Sequence, residues 1–267
     1  MTPSRSAGAL GLLVLASCGG GERPSPPTVV VTTSLLELAV RDAAGPGVPL
    51  QVVRLLPPGS CPGHFDLSPR VLPTLRAAAA VVRHDYQGPL DEKIRRAGAD
   101  RAVPLAVGAP GSLLIPSNYL ELVRRVAGAL QGRVPGISPL PPAAVAERLS
   151  ALERELRARP RPWEGRPAVA SRHQKDFAEW LGLRVTGALD RPDDVTPAQL
   201  ERLTHCEAEV VVANLQEGVQ AALALAGRRG LPAAVFSNFP GAEGYGTTYE
   251  DLLRENVRRL EEAWAKR

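Results

Sequence analysis

The stretch that decides the fold is AAVAERLSALERELRA, residues 143–158, near the middle of a chain of 267 residues. Its apolar side chains recur every three or four residues, at Val145, Leu149, Leu152 and Leu156. Glu and Arg occupy the opposite side, so the spacing predicts a helix with one buried face. A break rich in Pro and Gly, residues 132–142, precedes this helix. The pattern therefore predicts a helical segment that links two halves of the chain.

Val- and Ala-rich runs lie on both sides of this segment, four before it and four after it, with helical patterns between them. The predicted strands are Thr28–Thr33, Leu50–Leu55, Ala79–His84, Arg101–Leu105, Pro167–Ser171, Leu183–Leu189, Ala208–Ala213 and Ala233–Ser237. Strands that alternate with helices are typical of parallel sheets with right-handed crossovers. We therefore predict an α/β fold of two four-stranded parallel-sheet lobes, joined by a long linking helix, with a cleft between the lobes.

The composition is that of a globular protein, with 44% hydrophobic and 22% charged residues, which excludes disordered, collagen-like and coiled-coil chains. The net charge is +4, but the basic residues are nearly all Arg and form no run. We therefore predict no nucleic-acid partner. Aromatic residues make up only 4% of the chain, which argues against aromatic platforms that stack on single-stranded nucleic acid.

The N-terminus has the pattern of an export signal, because an apolar stretch at residues 7–16 is too short to span a bilayer. It ends in Leu15-Ala16-Ser17-Cys18, which resembles the lipobox of bacterial lipoproteins. On this interpretation residues 1–17 are removed, Cys18 carries a lipid, and residues 18–27 form a flexible tether. The alternative is an ordinary signal peptide that a Cys happens to follow.

The remaining boundaries place an N-terminal α/β lobe at residues 28–140, the linking helix at 141–160 and a C-terminal α/β lobe at 161–267. We expect the body to lie in the cell envelope as a membrane-anchored lipoprotein that faces the periplasm or the exterior. That compartment permits a disulfide between Cys61 and Cys206, but the sequence does not show whether they lie close enough to pair.

Candidate ligand-binding residues follow the predicted strands, where open α/β sheets usually bind ligands. The loop after the second strand contains Cys61, His64 and Asp66, a donor set that suits zinc better than calcium or magnesium. His173 follows the fifth strand at the start of a helix and can point into the same cleft. The alternative for both positions is a side chain that simply faces water.

The two other histidines have weaker claims to a ligand role. His84 ends the third strand, beside Arg83 and Asp85, which can pair with each other, so we keep it in reserve. His205 lies in the last turn of a helix, where its charge would favour the negative end of the helix dipole, and we interpret it as structural.

Signatures of enzymes are missing from the sequence, which contains no G-x-S-x-G, P-loop, H-E-x-x-H or strand-linked G-x-G-x-x-G motif. Cys61 and His64 as nucleophile and base would be the remaining catalytic possibility. Cys61 is followed by Pro62-Gly63 and does not start a helix, so it fits papain-like chemistry poorly. We therefore predict that the protein is not an enzyme.

Four segments together resemble a known family. Residues 29–34, VVVTTS, match a family strand of the type V-V-T-S, and residues 57–69 match the length and frame of P-P-G-x-D-P-H-x-Y-E-P-x-P. Phe177–Leu183 matches F-x-x-x-L-G-L, and Tyr249–Asn256 matches Y-x-x-x-L-x-x-N. The chain thus resembles the metal-binding solute-binding lipoproteins of ABC importers for zinc and manganese, over nearly all of the expected mature chain.

The ligand positions of this family agree less closely than the segments around them. The first-loop His falls at Gly63, with His64 one place later, and the second His has no counterpart in residues 111–116. The third is matched by His173 with a shift, and the late carboxylate is replaced by Asn238.

The resemblance implies a monomeric receptor that captures a divalent transition metal, zinc or manganese, and delivers it to an ABC permease in the cytoplasmic membrane. On the residues present, the metal ligands would be His64, His173 and Cys61. The alternative is a lipoprotein of the same fold that binds a non-metal solute or a protein partner, and the altered ligand set is the argument for it.

Overall fold

A computed structural model describes residues 25–62, 67–99, 104–108 and 110–266. The predicted export signal with Cys18 lies outside the described residues, and so does His64 in the loop after the second strand.

Over the described residues, the chain forms two four-stranded sheets in which every strand pair is parallel, as the sequence predicts. The first sheet has the order β2-β1-β3-β4 and the second has the equivalent order β6-β5-β7-β8. The strands are β1 Thr28–Val31, β2 Gln51–Arg54, β3 Ala80–His84, β4 Pro104–Val107, β5 Pro167–Ser171, β6 Arg184–Leu189, β7 Val210–Asn214 and β8 Ala233–Phe236.

Helices cover the faces of both sheets and connect the strands. They are α1 Ser34–Ala44, α2 Leu72–Ala77, α3 Pro89–Arg96, α4 Pro116–Leu130, α5 Ala143–Ala158, α6 Lys175–Trp180, α7 Pro197–His205, α8 Gln220–Arg229 and α9 Tyr249–Ala265. Short 3₁₀ turns follow β3 and β5, at Asp85–Gln87 and Arg172–Gln174. None of the helices in the described ranges is long and apolar enough to cross a membrane.

The burial of the strands explains their sequences. All residues of β3, β5 and β7 are buried, because these strands have neighbours on both sides and helices on both faces. Edge strand β2 reads QVVR and is partly exposed. Edge strand β4 extends to Val107, two residues past its predicted end, and its described part starts at Pro104, which an edge strand tolerates because Pro lacks an N–H to donate.

Helix α5 has the predicted bounds, and its four apolar side chains are all buried. It packs on α4 and α9, so its buried face belongs to a hydrophobic core that runs from the first sheet to the second. Each sheet also carries a smaller core on its other face. The two lobes are therefore joined through shared packing as well as through the chain.

Two stacked tyrosines lie at the centre of this shared core. The rings of Tyr119 on α4 and Tyr249 on α9 are 4.0 Å apart between centroids and are nearly parallel. The Tyr249 hydroxyl donates to the carbonyl of Leu113 at 3.0 Å, and the Tyr119 hydroxyl donates to Asp42 Oδ2 at 2.8 Å. Burial raises the pKa of both tyrosines well above the usual value, so both remain hydrogen-bond donors.

An arginine on the linking helix completes this junction. Arg148 of α5 donates to Asp42 of α1 at 2.7 Å and lies 2.8 Å from Glu250 of α9. The side chains of α1, α4, α5 and α9 thus meet at one point, and this fixes the orientation of one lobe against the other.

Removal of the tyrosine stack should therefore weaken the whole fold. We expect Tyr249→Ala to lower the free energy of unfolding by about 3–5 kcal/mol, the usual cost of emptying a buried aromatic site. Tyr249→Phe loses only the hydrogen bond to Leu113 and should cost about 1 kcal/mol. Urea denaturation measures both values.

The control is Tyr86→Phe, because the Tyr86 side chain is 58% exposed, and we expect a change within about 0.5 kcal/mol. Equal midpoints for wild type and Tyr249→Ala would show that the stack does not hold the lobes together.

Candidate functional site

A cavity of about 150 Å³ lies between the lobes, at the carboxyl ends of the strands. Its walls come from segments that follow β1, β3 and β4 in the first lobe, and β5 and β8 in the second. The lining residues are Leu35, His84, Tyr86, Gly111, Ser112, Leu113, Leu114, His173, Asn238 and Phe239. The cleft predicted from the sequence is therefore present, and it is small.

A groove of about 430 Å³ lies elsewhere, between α1 and the start of α5. Its charged residues Arg41, Asp42 and Arg148 are already engaged in ion pairs within the protein. Because these charges are satisfied, the groove offers no free polar group on which a ligand would depend, and we place the candidate site in the cleft.

His173 lies in the 3₁₀ turn that follows β5, and it forms a pair with a carboxylate. Its Nε2 is 3.1 Å from Oε1 of Glu217, which comes three residues after the end of β7. Since β5 and β7 are neighbours in the sheet, their carboxyl ends bring these two side chains together. The His173 side chain is 54% exposed, whereas that of Glu217 is only 9% exposed.

Burial raises the pKa of the Glu217 carboxyl, and the nearby His173 and Arg191 act in the opposite direction. Glu217 was not among the residues that the sequence analysis selected. The available signal was its position, since it is the acidic side chain of the loop after β7.

His84 ends β3 and is 1% exposed. Its Nε2 lies 3.1 Å from Oγ1 of Thr33, while its Nδ1 is buried and has no hydrogen-bond partner among the described residues. The ring stacks on Tyr86 with centroids 5.1 Å apart. Burial lowers the pKa of His84 to about 4, although Asp85 acts against this, so the ring is neutral at pH 7.

The neighbours of His84 differ from the pairing considered in the sequence analysis. Arg83 forms its ion pair with Asp91 of α3, and it also donates to the main-chain carbonyls of His84 and Asp85. Because the Arg83 guanidinium is engaged with Asp91, the Asp85 carboxylate does not receive it as an ion-pair partner.

Cys61 lies at a second, smaller cavity of about 110 Å³, which Glu217, Gln216 and Arg191 also line. Glu217 is the link between the two predicted ligands, because it lines the cavity of Cys61 and contacts His173. Cys61 and Cys206 are both free thiols in the structure, so the permitted disulfide is not formed. The third predicted ligand, His64, lies outside the described residues.

Amide side chains occupy much of the remaining cleft floor. Gln174 Nε2 donates to Asn238 Oδ1 at 2.9 Å, and the Asn238 main-chain N–H donates to Gln216 Oε1 at 2.9 Å. Gln216 Nε2 also donates across the lobes to the carbonyl of Pro58 at 3.2 Å. These contacts hold the loop after β8 and the loop after β2 against the loop after β7.

Among the described residues, no three His, Cys, Asp or Glu side chains are arranged so that they could hold one metal ion. His205 lies apart from the cleft on α7, where its exposed ring pairs with Glu201 at 2.9 Å, in agreement with a structural role. The cleft therefore offers a His–Glu pair, a buried imidazole and a nearby thiol.

Burial of His84 predicts a dependence of stability on pH. The pKa is about 4 in the folded state and 6.5 when the ring is exposed, so protonation favours the unfolded state. The stabilisation is complete above pH 6.5 and is lost as the pH falls through 4. We expect His84 to account for a loss of about 3 kcal/mol over this interval in metal-free protein.

Urea denaturation between pH 7 and pH 4, in the presence of a chelator, tests this expectation. The His84→Gln variant should lose less stability than wild type over the interval, whereas His205→Gln should behave as wild type. Parallel curves for wild type and His84→Gln would mean that His84 titrates normally in the folded protein.

Comparison with known proteins yields no match to a family model and none to a curated protein sequence. Solved structures do match. A deletion mutant of ZnuA with zinc bound has 16% identity and a TM-score of 0.65, over 89% of this chain and 97% of that one. The laminin-binding protein Lbp of Streptococcus pyogenes has 15% identity and a TM-score of 0.67, over 90% and 99%.

A manganese-bound mutant of the periplasmic metal-binding protein from Candidatus Liberibacter asiaticus has 16% identity and a TM-score of 0.63, over 88% of this chain and 98% of that one. The order of elements predicted from the sequence is the same throughout these alignments, because they span nearly all of the described chain. The chain therefore has the two-lobed α/β fold of the zinc and manganese solute-binding proteins of ABC importers.

Proposed function

We propose that the protein is an extracytoplasmic lipoprotein that captures a divalent transition metal, zinc or manganese, and delivers it to the permease of an ABC importer. The observation that carries the proposal is the His173–Glu217 pair at the interlobe cleft, in a fold whose solved examples hold zinc or manganese. Binding and release are sufficient for this role, so no catalytic group is required.

The proposed ligand set is His64, His173 and Cys61. An imidazole and a thiol suit zinc, which binds nitrogen at about 2.0–2.1 Å and thiolate at about 2.3 Å. Glu217 supports the set, since it contacts His173 and lines the same cavity as Cys61. A carboxylate that holds a histidine by hydrogen bonding also orients the ring and raises its affinity for metal.

The architecture supports capture by local movement rather than by wide closure of the lobes. We propose an N-terminal lobe at 28–140, a linking helix at 141–160 and a C-terminal lobe at 161–267. The core shared by the lobes and the junction around Arg148 would have to separate if the lobes swung apart. Exchange of the metal therefore falls to the loops that carry Cys61 and His173.

One observation favours a second candidate, a non-metal solute or a protein partner. Neutral amides occupy the cleft floor at Gln174, Gln216 and Asn238, and they provide both donors and acceptors. Amides orient polar organic ligands more readily than they hold a transition metal. The metal-binding experiment below separates the two candidates.

Competition with a chelating dye tests the metal proposal on the purified protein. We expect wild type to bind zinc, and His173→Ala and His64→Ala each to lower the affinity about tenfold or more, a step of about 1.4 kcal/mol in binding free energy. Cys61→Ser should also weaken binding, because a hydroxyl is a poorer zinc ligand than a thiolate.

The matched control is His205→Ala, which removes an exposed imidazole far from the cleft and should leave the affinity unchanged. Undiminished affinity in both His173→Ala and His64→Ala would place any metal elsewhere. A wild-type protein that binds neither zinc nor manganese would favour the second candidate.

The lipid anchor gives a separate prediction. We expect Cys18→Ser to abolish lipid attachment, because a hydroxyl cannot replace the thiol that forms the thioether, and to release the protein or leave its signal uncleaved. Membrane fractionation and the mass of the mature N-terminus measure this. Cys206→Ser is the control, and a processed, membrane-bound Cys18→Ser protein would contradict the assignment.

A further inference from the structure

We propose that His84 supplies a second imidazole nitrogen, Nδ1, to the metal at His173, from the opposite wall of the interlobe cleft. This inference rests on the proposed function, since it assigns one more residue to the same metal. It concerns a residue that ends β3, a position distinct from the loops after β2 and β5 that carry the ligands proposed above.

The first argument is placement. His84 and His173 line the same cavity, one from each lobe. The cavity of about 150 Å³ corresponds to about five water molecules at ~30 Å³ each, which is enough for one ion with part of its water shell. The wall between the two rings carries no other side chain that could take a proton or a metal from the loop at Gly111 and Ser112, among the described residues.

The second argument is the buried nitrogen of His84. Nδ1 has no hydrogen-bond partner among the described residues, and an unsatisfied buried polar atom costs about 1–3 kcal/mol. Such atoms are rare in native structures and call for a partner that the protein alone does not provide. A metal ion in the cavity would be that partner.

The third argument is how the ring is held. His84 Nε2 contacts Thr33 Oγ1 at 3.1 Å, and this oxygen also accepts the N–H of Leu36 at the start of α1. Tyr86 stacks on the ring from another side. When Nε2–H donates to Thr33, Nδ1 keeps its lone pair and the ring has a fixed orientation, as in a preformed metal ligand.

His173 repeats this arrangement in the second lobe. Its Nε2 contacts Glu217 Oε1, and Nδ1 has no hydrogen bond to a described residue. Histidine ligands usually donate their second N–H to an oxygen acceptor, which sets the tautomer. Each lobe therefore presents a histidine whose Nε2 is held by an oxygen of its own lobe and whose Nδ1 is available.

The surroundings favour coordination at this point. Leu35, Leu114 and Phe239 form apolar parts of the cavity wall, so few waters compete for the ion. Two imidazoles leave two positions of a tetrahedral zinc site, which Cys61, another side chain or water would fill. One metal bound by both rings would then bridge the two lobes.

The direct test is long-range ¹H–¹⁵N spectroscopy of the full chain labelled with ¹⁵N-histidine, before and after addition of one equivalent of Zn²⁺. The chain has four histidines, so His84 is assigned by elimination, with Gln variants of His64, His173 and His205. We expect metal-free His84 to be protonated at Nε2, and zinc to shift its Nδ1 resonance together with that of His173. The resonances of His205 should not move.

The second measurement is zinc affinity in His84→Gln, which keeps a polar side chain that can contact Thr33. We expect a decrease of about tenfold or more relative to wild type, or about 1.4 kcal/mol, with His205→Gln as the matched control. The spectra of wild type decide the question if His84→Gln fails to fold, because they require no change at position 84.

The outcomes separate this inference from the proposed function. Zinc that shifts His173 but leaves the Nδ1 resonance of His84 in place would overturn the inference and leave metal capture intact. Protonation of His84 at Nδ1 in zinc-bound protein would also overturn it. A protein that binds no zinc and no manganese would overturn both.

Discussion

The structure depends on the stack of Tyr119 on Tyr249, because this contact joins the cores of the two lobes. Each ring is buried on a different helix, and each hydroxyl reaches a partner that belongs to the first lobe. Arg148 ties the same point to α1 and α9 from the linking helix. With the lobes held in this way, the carboxyl ends of β3 and β5 face each other, and the cleft is small without any ligand to close it.

Local patterns were sufficient to predict the elements. The apolar spacing of residues 143–158 is a property of one helix, and the observed helix has those bounds. The strands β3, β5 and β7 are continuous apolar runs because they are covered on both faces, and such runs are visible without knowledge of the partners. The two-sheet architecture follows, since strand–helix alternation leaves few topologies open.

The site was less predictable, because it depends on which strands are neighbours. His173 and Glu217 are 44 positions apart, and they meet only because β5 and β7 pair in the second sheet. Burial was equally hidden for His84. Its neighbours Arg83 and Asp85 suggested a solvated ion pair, whereas the structure turns Arg83 to Asp91 and encloses the imidazole. The predicted role of His64 lies outside the described residues and stays a prediction.

The contrast between the two histidines bears on how a receptor with little lobe movement would exchange its cargo. His173 is half exposed, so an ion can reach it from solvent while Glu217 holds the ring. His84 is enclosed and neutral, and moving it would break its contacts with Thr33 and Tyr86. On the proposed arrangement, the ion arrives at the mobile, exposed side and is completed by the rigid, buried side. Release then requires displacement only of the loop after β5, whose restraint is the set of amide contacts through Gln174 and Asn238. Those neutral hydrogen bonds are weaker than an ion pair would be, at about 1 kcal/mol each, so the loop can move while the tyrosine junction stays closed.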